Sequence, residues 1–212
     1  GFYGPRDILF GPNGQAYIVD QGRTRIVKFD PSSDSFSAWG TSGDSPGQFL
    51  ESTGIETGGS LIFVSDLGNN RIQVFDLEGN FVRMWGVPEW GKYPWHYPDV
   101  AYDESTQRLY VTNGWRNEIF AYDLNGNRVE PRFDKVPMLS NPSSIVLARS
   151  DRGRHLLVLN TEGARVESIT LFAKCHHGMN YYPSQIGPVR PSALTGNGRA
   201  PYTPRGAVSG WS

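Results

Sequence analysis

Trp90, Lys92, Trp95 and His96 fall within one connector, Val87 to Tyr97, and Trp115 and Arg116 fall within one short turn further along. Indole faces stack on sugar rings and on proline-rich peptide, and a guanidinium or ammonium group holds an anion. Brought together, these six residues would make an aromatic binding patch with two cationic handles. Trp85 reads differently: Trp39 stands at the matching place one repeat earlier, so both are expected to be packing wedges.

Other chemistries find less support. The histidines are His96, His155, His176 and His177, with Cys175 beside the last two. Adjacent ligands alternate sides in an extended chain, and no second pair at zinc spacing exists, so no metal or cofactor is expected. No Gly-x-Ser-x-Gly elbow, phosphate loop or dinucleotide fingerprint is present. Asp103, Glu104 and Glu51 read as solvated turn residues, so no catalytic residue is assigned and the module is expected to be non-catalytic.

What would position the patch is a repeat. The phrase Val64-Ser65-Asp66-Leu67-Gly68-Asn69-Asn70-Arg71-Ile72-Gln73-Val74-Phe75-Asp76 is echoed from Val19, from Val111 and, faintly, from Val158. Asp20 to Asp66 is 46 residues, and Asp66 to Asn113 and Asn113 to Asn160 are 47 each. Each copy carries short extended segments that alternate polar and apolar, separated by Gly, Asn and Pro turns. Four antiparallel strands per repeat of this length predict an all-β chain, a β-propeller of about four four-stranded blades. The blades fall near 1–40, 48–86, 94–134 and 139–174. Strands are expected near 98–102, 108–112, 118–123 and 127–133 in the third, and near 143–148, 154–159 and 164–172 in the fourth. Ile26, Val74, Ile119 and Val166 are the expected inter-blade core.

Loops after the second and fourth strands of a blade leave at the same end. That geometry places the Trp115 turn beside the Val87–Tyr97 connector. Within the repeated phrase, Asp20 with Arg25 and Asp66 with Arg71 face each other across a turn. Such pairs are expected to be exposed and to contribute about 0–1 kcal/mol each. Gly22, Gly68 and Asn69 are expected to supply the positive φ of the turn, beside Asn70. The third copy has Asn113 and Glu118 where the pair would stand, so its pair is lost.

The second repeat resembles an NHL repeat, a family of propeller blades, through Phe63-Val64-Ser65-Asp66, Asn69 to Phe75, Gly79 and Trp85-Gly86. The segment Trp39 to Phe49 is similar to the family's inter-blade connector. NHL propellers commonly have six blades, so the resemblance implies either a closed four-bladed ring or an open fragment of a six-bladed one. Met84 to Trp90 and Asn141 to Leu147 look like NHL regions of some bacterial membrane glycosyltransferase-like proteins. That likeness implies an extracytoplasmic accessory domain. Related propeller enzymes, peptide-amidating lyases and lactonase-like proteins, imply a metal-dependent hydrolase or lyase as a third reading. Their inward histidine or carboxylate sets are not expected at equivalent blade positions here.

The rest of the sequence sets bounds. The net charge of -1 argues against nucleic acid as partner. Arg23, Arg25, Arg71, Lys92, Arg116 and Arg165 are accompanied by Asp20, Asp66, Glu89 and Glu162, which breaks any sustained positive field. No apolar run reaches transmembrane length, and one cysteine allows no intrachain disulfide. The chain begins within the repeat pattern, which suggests a larger parent. Residues 175–212, rich in Pro, Gly and Ser, are expected to form an irregular tail. Tyr181-Tyr182, Gln185-Ile186 or Gly1-Phe2-Tyr3 would pair with the edge if the ring closes. An open arc would leave two blade faces uncovered and prone to association. The function expected is binding or scaffolding, with a protein or glycan as partner.

Overall fold

A computed structural model describes residues 1–91, 96–129, 139–151, 153–162 and 164–171. Blade 1 is β1 (Pro5–Phe10), β2 (Ala16–Asp20), β3 (Arg25–Asp30) and β4 (Ser35–Trp39). A short parallel pair, β5 (Thr41–Ser42) and β6 (Gln48–Phe49), follows in the connector. Blade 2 is β7 (Ser52–Gly58), β8 (Leu61–Asp66), β9 (Arg71–Asp76) and β10 (Phe81–Gly86). Blade 3 is β11 (Val100–Asp103), β12 (Arg108–Asn113) and β13 (Glu118–Tyr122), with a bridge from Tyr122 to Arg128. Blade 4 is β14 (Pro142–Ser150), β15 (Gly153–Asn160) and β16 (Arg165–Leu171). Within each blade every strand pairs antiparallel with the next in sequence. The expected strands of blades 3 and 4 are all present except 127–133, which lies partly outside the described residues. So do Lys92, Trp95 and the whole of 175–212.

The 46–47-residue period is a register. Asp20, Asp66, Asn113 and Asn160 each end the second strand and pair with the first residue of the third: Arg25, Arg71, Glu118 and Arg165. Alternation then sends successive side chains to opposite faces. Ile72 and Val74 go into the core shared with blade 3, and Phe75 into the core shared with blade 1. Both faces are buried because a blade lies between two others. Fully buried side chains of this size contribute about 1.5–3 kcal/mol each. Trp39 and Trp85 are wedges as expected. Each indole lies over a positive-φ glycine of the next blade, Gly79 and Gly126, where a Cβ would strike the ring at 2.5 and 2.6 Å.

Two expectations about the repeated phrase are corrected. The Asp66–Arg71 pair is buried: Asp66 has no exposed side-chain surface and Arg71 only 8%. Arg71 Nε donates to Asp66 Oδ2 at 2.9 Å, and its Nη atoms donate to the carbonyls of Asp44, Ser45 and Gln48. Asp66 Oδ1 accepts from the Leu50 backbone, as Asp20 Oδ1 does from Tyr3 and Asn160 Oδ1 from Ser140. The phrase therefore ties the incoming chain to its own blade. The glycines also act differently. The left-handed residues are Thr24, Asn70, Asn117 and Ala164. Gly22 and Gly68 are needed for close approach, because a Cβ would enter Tyr3 in one case and Leu50 and Glu51 in the other.

Three cores join four blades: blade 1 to 2, 2 to 3, and 3 to 4. Among the described residues none joins blade 4 to blade 1, so the propeller is an open four-bladed arc. Val166 shows the consequence. Its counterparts Ile26, Ile72 and Ile119 are at most 1% exposed, whereas Val166 is 51% exposed, with no blade over it among the described residues.

Removing one partner of a buried pair leaves the other charge unpaired. Asp66→Ala should therefore destabilise the chain by about 3–5 kcal/mol, with Asp66→Asn milder because Asn113 and Asn160 already serve at this position. Urea denaturation of the three proteins checks this; equal stability of Asp66→Ala and the parent would contradict the latch. Gly79→Val should cost about 1–3 kcal/mol by driving the Trp39 wedge out of place, read as a lower thermal midpoint with reduced Trp fluorescence quenching.

Candidate functional site

The face carrying the turns after the second strands holds the expected patch in part. Trp115 sits at the tip of the β12–β13 turn, 48% exposed, and meets His96 edge-on with ring centroids 5.8 Å apart. His96 Nδ1 donates to Asn141 Oδ1 at 3.0 Å, a contact between the chain leading into blade 3 and the start of blade 4. Asn141 N donates in turn to Asn117 Oδ1, and its carbonyl accepts from Thr161. Gly114 leaves the space that Asn141 fills. Arg116 is exposed, with its backbone N–H on Asn113 Oδ1. Trp115, Arg116 and His96 are thus held on one platform that spans the blade 3–4 junction.

Trp90 does not belong to the patch. It is 3% exposed, sits in the core between blades 2 and 3, and donates its indole N–H to the Thr112 carbonyl at 3.0 Å. The reason is the lost charge pair of the third repeat. Asn113 Nδ2 donates to the Glu89 carbonyl, and Arg128 pairs with Glu89, so the Pro88–Trp90 turn is drawn inward where Arg71 gripped the previous connector. Lys92 and Trp95 lie outside the described residues.

Sequence reasoning missed the inner strands. Asp7 and Asp99 occupy equivalent positions two periods apart, contrary to the expectation that no inward carboxylates recur. Asp7 Oδ2 accepts from Ile55 N, and Asp99 Oδ2 accepts from Ile145 N and Ser144 Oγ. Each carboxylate thereby latches the inner strand of the blade that follows. Blade 2 has Gly54 there, and a Cβ on it would meet Asp99 Oδ1 at 2.6 Å. Arg6 lies over the Tyr97 ring at 3.5 Å, tying blade 1 to the chain leading into blade 3. Dividing the Asp7–Asp99 spacing by the repeat period would have revealed the pair.

Further along the inner strands is Glu56. Burial, then the neighbouring Asp99 and Asp7, raise its pKa to about 7, against backbone donors that lower it. Burial and the Asp7 charge raise Asp99 to about 6. Glu56 lines a cavity of about 460 Å³ at the end opposite Trp115, shared by Phe10, Tyr102, Glu104, Val146 and Arg149. All four blades contribute to this cavity. No cluster of three or more His, Cys, Asp or Glu side chains arranged to hold a metal occurs among the described residues.

No known family model matches the chain. Solved structures do match it. A virginiamycin B lyase from Staphylococcus aureus superimposes with a TM-score of 0.54 at 15% identity, over 77% of this chain and 54% of that one. A putative 6-phosphogluconolactonase from Bacteroides uniformis gives 0.55 at 15%, over 78% and 50%. The Cps50 (Swd1) β-propeller domain of Myceliophteria thermophila gives 0.54 at 10%, over 79% and 54%. The fold is a β-propeller. At these identities the likeness establishes the fold alone, and the chain spans about half the length of each of these structures.

Glu56 makes stability depend on pH. The native state holds its proton to about pH 7, whereas the unfolded chain releases it near 4.5. The native state therefore binds more protons in that window, and stability falls as pH rises through it. Glu56→Gln should raise the thermal midpoint at pH 8 relative to the parent, with the gap closing towards pH 5. A gap that is constant with pH would contradict the assignment.

Proposed function

We propose that this chain is a non-catalytic binding module of the NHL type, engaging a glycan or protein partner through the face that carries Trp115 and Arg116. The observation behind this reading is Trp115 itself: a half-exposed indole on a turn locked to the next blade, at a position the repeat fills with no aromatic elsewhere. A rigid aromatic with few rotamers to lose is suited to stacking on a sugar or a prolyl ring. Arg116, beside it, supplies charge for an anionic substituent. The same reading assigns residues 1–174 to the propeller and 175–212 to a tail outside the blades. Nucleic acid is not the partner in this proposal, because the net charge is -1. No helix among the described residues is long and apolar enough to cross a membrane.

Glycan-array binding by the parent, Trp115→Ala and Arg116→Ala is the test. Loss of one stacked ring should weaken binding roughly 10-fold or more, a cost of about 1.4 kcal/mol or above. Array binding that survives both substitutions would remove the platform from consideration. Trp90→Ala belongs in the experiment as a core control, expected to lower stability by about 3–5 kcal/mol.

A second reading, a propeller hydrolase or lyase, rests on Glu56. A carboxyl group titrating near 7 on a cavity shared by four blades is suited to general acid or base work. Metal analysis of the purified protein tests the metal-dependent form, which requires stoichiometric metal.

A further inference from the structure

Each of the three blade junctions is crossed by one carboxylate of an inner strand. Asp7 of blade 1 accepts from Ile55 N of blade 2 at 2.9 Å. Glu56 of blade 2 accepts from the backbone of Tyr102 in blade 3. Asp99 of blade 3 accepts from Ile145 N of blade 4 at 3.0 Å and from Ser144 Oγ at 2.8 Å. Blade 2 has no room for a side chain at Gly54, the position that Asp7 and Asp99 fill in their own blades, because Asp99 Oδ1 already stands there. Glu56 lies two residues further on, so alternation puts it on the same side of the strand. The tie to the next blade is moved along the strand rather than lost.

The three carboxylates converge on one short stretch of blade 2. Asp7 binds at Ile55, Asp99 fills the space beside Gly54, and Glu56 follows directly. Burial raises the pKa of all three, and like charge adds to it: Asp99 and Asp7 act on Glu56, and Asp7 acts on Asp99. The cations around them are engaged elsewhere. Arg6 lies over Tyr97, and Arg149 and Arg154 both reach Asp103. Glu104 adds a further negative charge to the cavity that Glu56 lines. Tyr102 stacks on Phe63 and stays protonated, since burial raises its hydroxyl. On the second strands packed behind, Asp20 and Asp66 are held by Arg25 and Arg71. Tyr17 donates to the Leu77 carbonyl, and Tyr110 meets Arg108.

We propose that Asp7, Glu56 and Asp99 form one proton-sharing stack, a switch that holds the three junctions tight in mild acid and loosens them together as pH rises. Groups so placed lose their protons as a set, in steps that belong to the stack rather than to one residue. The unfolded chain releases these protons near 3.8 and 4.5, whereas the native state keeps them to about pH 6 at Asp99 and about pH 7 at Glu56. Between those limits the native state binds more protons, so stability is lost as pH rises through them. Glu56 acting alone would loosen only the contact between blades 2 and 3. A stack loosens all three, because each added charge repels the carboxylates that tie the other two junctions.

Two measurements on the full chain test this. The first is amide hydrogen exchange of the parent at Ile55, Tyr102 and Ile145 from pH 5 to pH 8, corrected for the intrinsic effect of pH. Protection at the three amides should fall together, roughly ten-fold or more. A fall confined to Tyr102 would assign the effect to Glu56 alone, and constant protection would remove the switch. An equal fall at Val27, inside the sheet of blade 1, would mean unfolding of whole blades and would equally overturn it. The second is carboxyl NMR titration of the parent, Asp7→Asn and Glu56→Gln. An amide keeps a carbonyl acceptor for the N–H tie, so each variant should keep the parent's circular dichroism. Asp7→Asn should lower the midpoints of both Glu56 and Asp99, and Glu56→Gln should lower that of Asp99. Midpoints unchanged from the parent would show independent groups and contradict the stack. If a variant fails to fold, the exchange profile of the parent decides by itself.

Discussion

A sheet with apolar residues on both faces needs a neighbour on each side, and no blade of this chain can bury both faces alone. Phe75 and Val74 are sequence neighbours, yet each is fully buried, one against blade 1 and the other against blade 3. That two-sided demand fixes the order of the molecule. Blade 2 is stable only because blades 1 and 3 flank it. The outermost blades carry the deficit, visible at Ile8 and Phe10 on one side and at Val146, Leu159 and Val166 on the other. Stability in such an array is a sum of nearest-neighbour interfaces, so terminal units are the weakest.

Apolar faces alone would let blades slide, because their side chains carry no direction. Polar side chains set the register. Asp20, Asp66 and Asn160 each take a backbone N–H of the chain entering their blade. Asp7 and Asp99 each take one from the blade that follows. Between blades 2 and 3 the work falls to Thr53 and Ser65, whose hydroxyls meet the Pro98 carbonyl. These groups are buried and directional. An unsatisfied polar group buried between the blades would cost about 1–3 kcal/mol, so a shifted packing of the blades is disfavoured.

The period, the strands and the wedging tryptophans were legible in the sequence because each repeats at fixed spacing. Several features were not, for physical reasons. Asp66 and Arg71 read as a surface pair because charges usually are. They are buried here because Arg71 also satisfies three connector carbonyls, and nothing in the local sequence announces those partners. Trp90 reads as a binding residue because no other repeat has it. Its uniqueness instead answers a local loss: with Asn113 and Glu118 replacing the charge pair, an indole fills the junction. Gly22 and Gly68 read as turn glycines, yet the positive φ falls on Thr24 and Asn70, and the glycines serve close approach. Spacing reveals which residues correspond, whereas burial depends on what lies across the gap.

The same distinction separates structural from functional residues at the two ends of the axis. Asp99 is fully engaged as a latch, so its raised pKa follows from the fold's own need for a buried acceptor. Glu56 is engaged in the same way: its carboxylate accepts from the backbone of Tyr102 in the following blade and from Thr57 N at 2.8 Å. Its burial is not demanded by the register, since Leu9, Ala101 and Val146 fill that position in the other blades. Trp115 at the opposite end is exceptional in another sense, as a half-exposed indole at a turn tip. Glu56 supplies a tie to the next blade where Gly54 offers none, and Trp90 fills the junction of blade 3, whereas Trp115 repairs nothing nearby. A departure that compensates a neighbour belongs to the scaffold, and one that compensates nothing is where a ligand is to be sought.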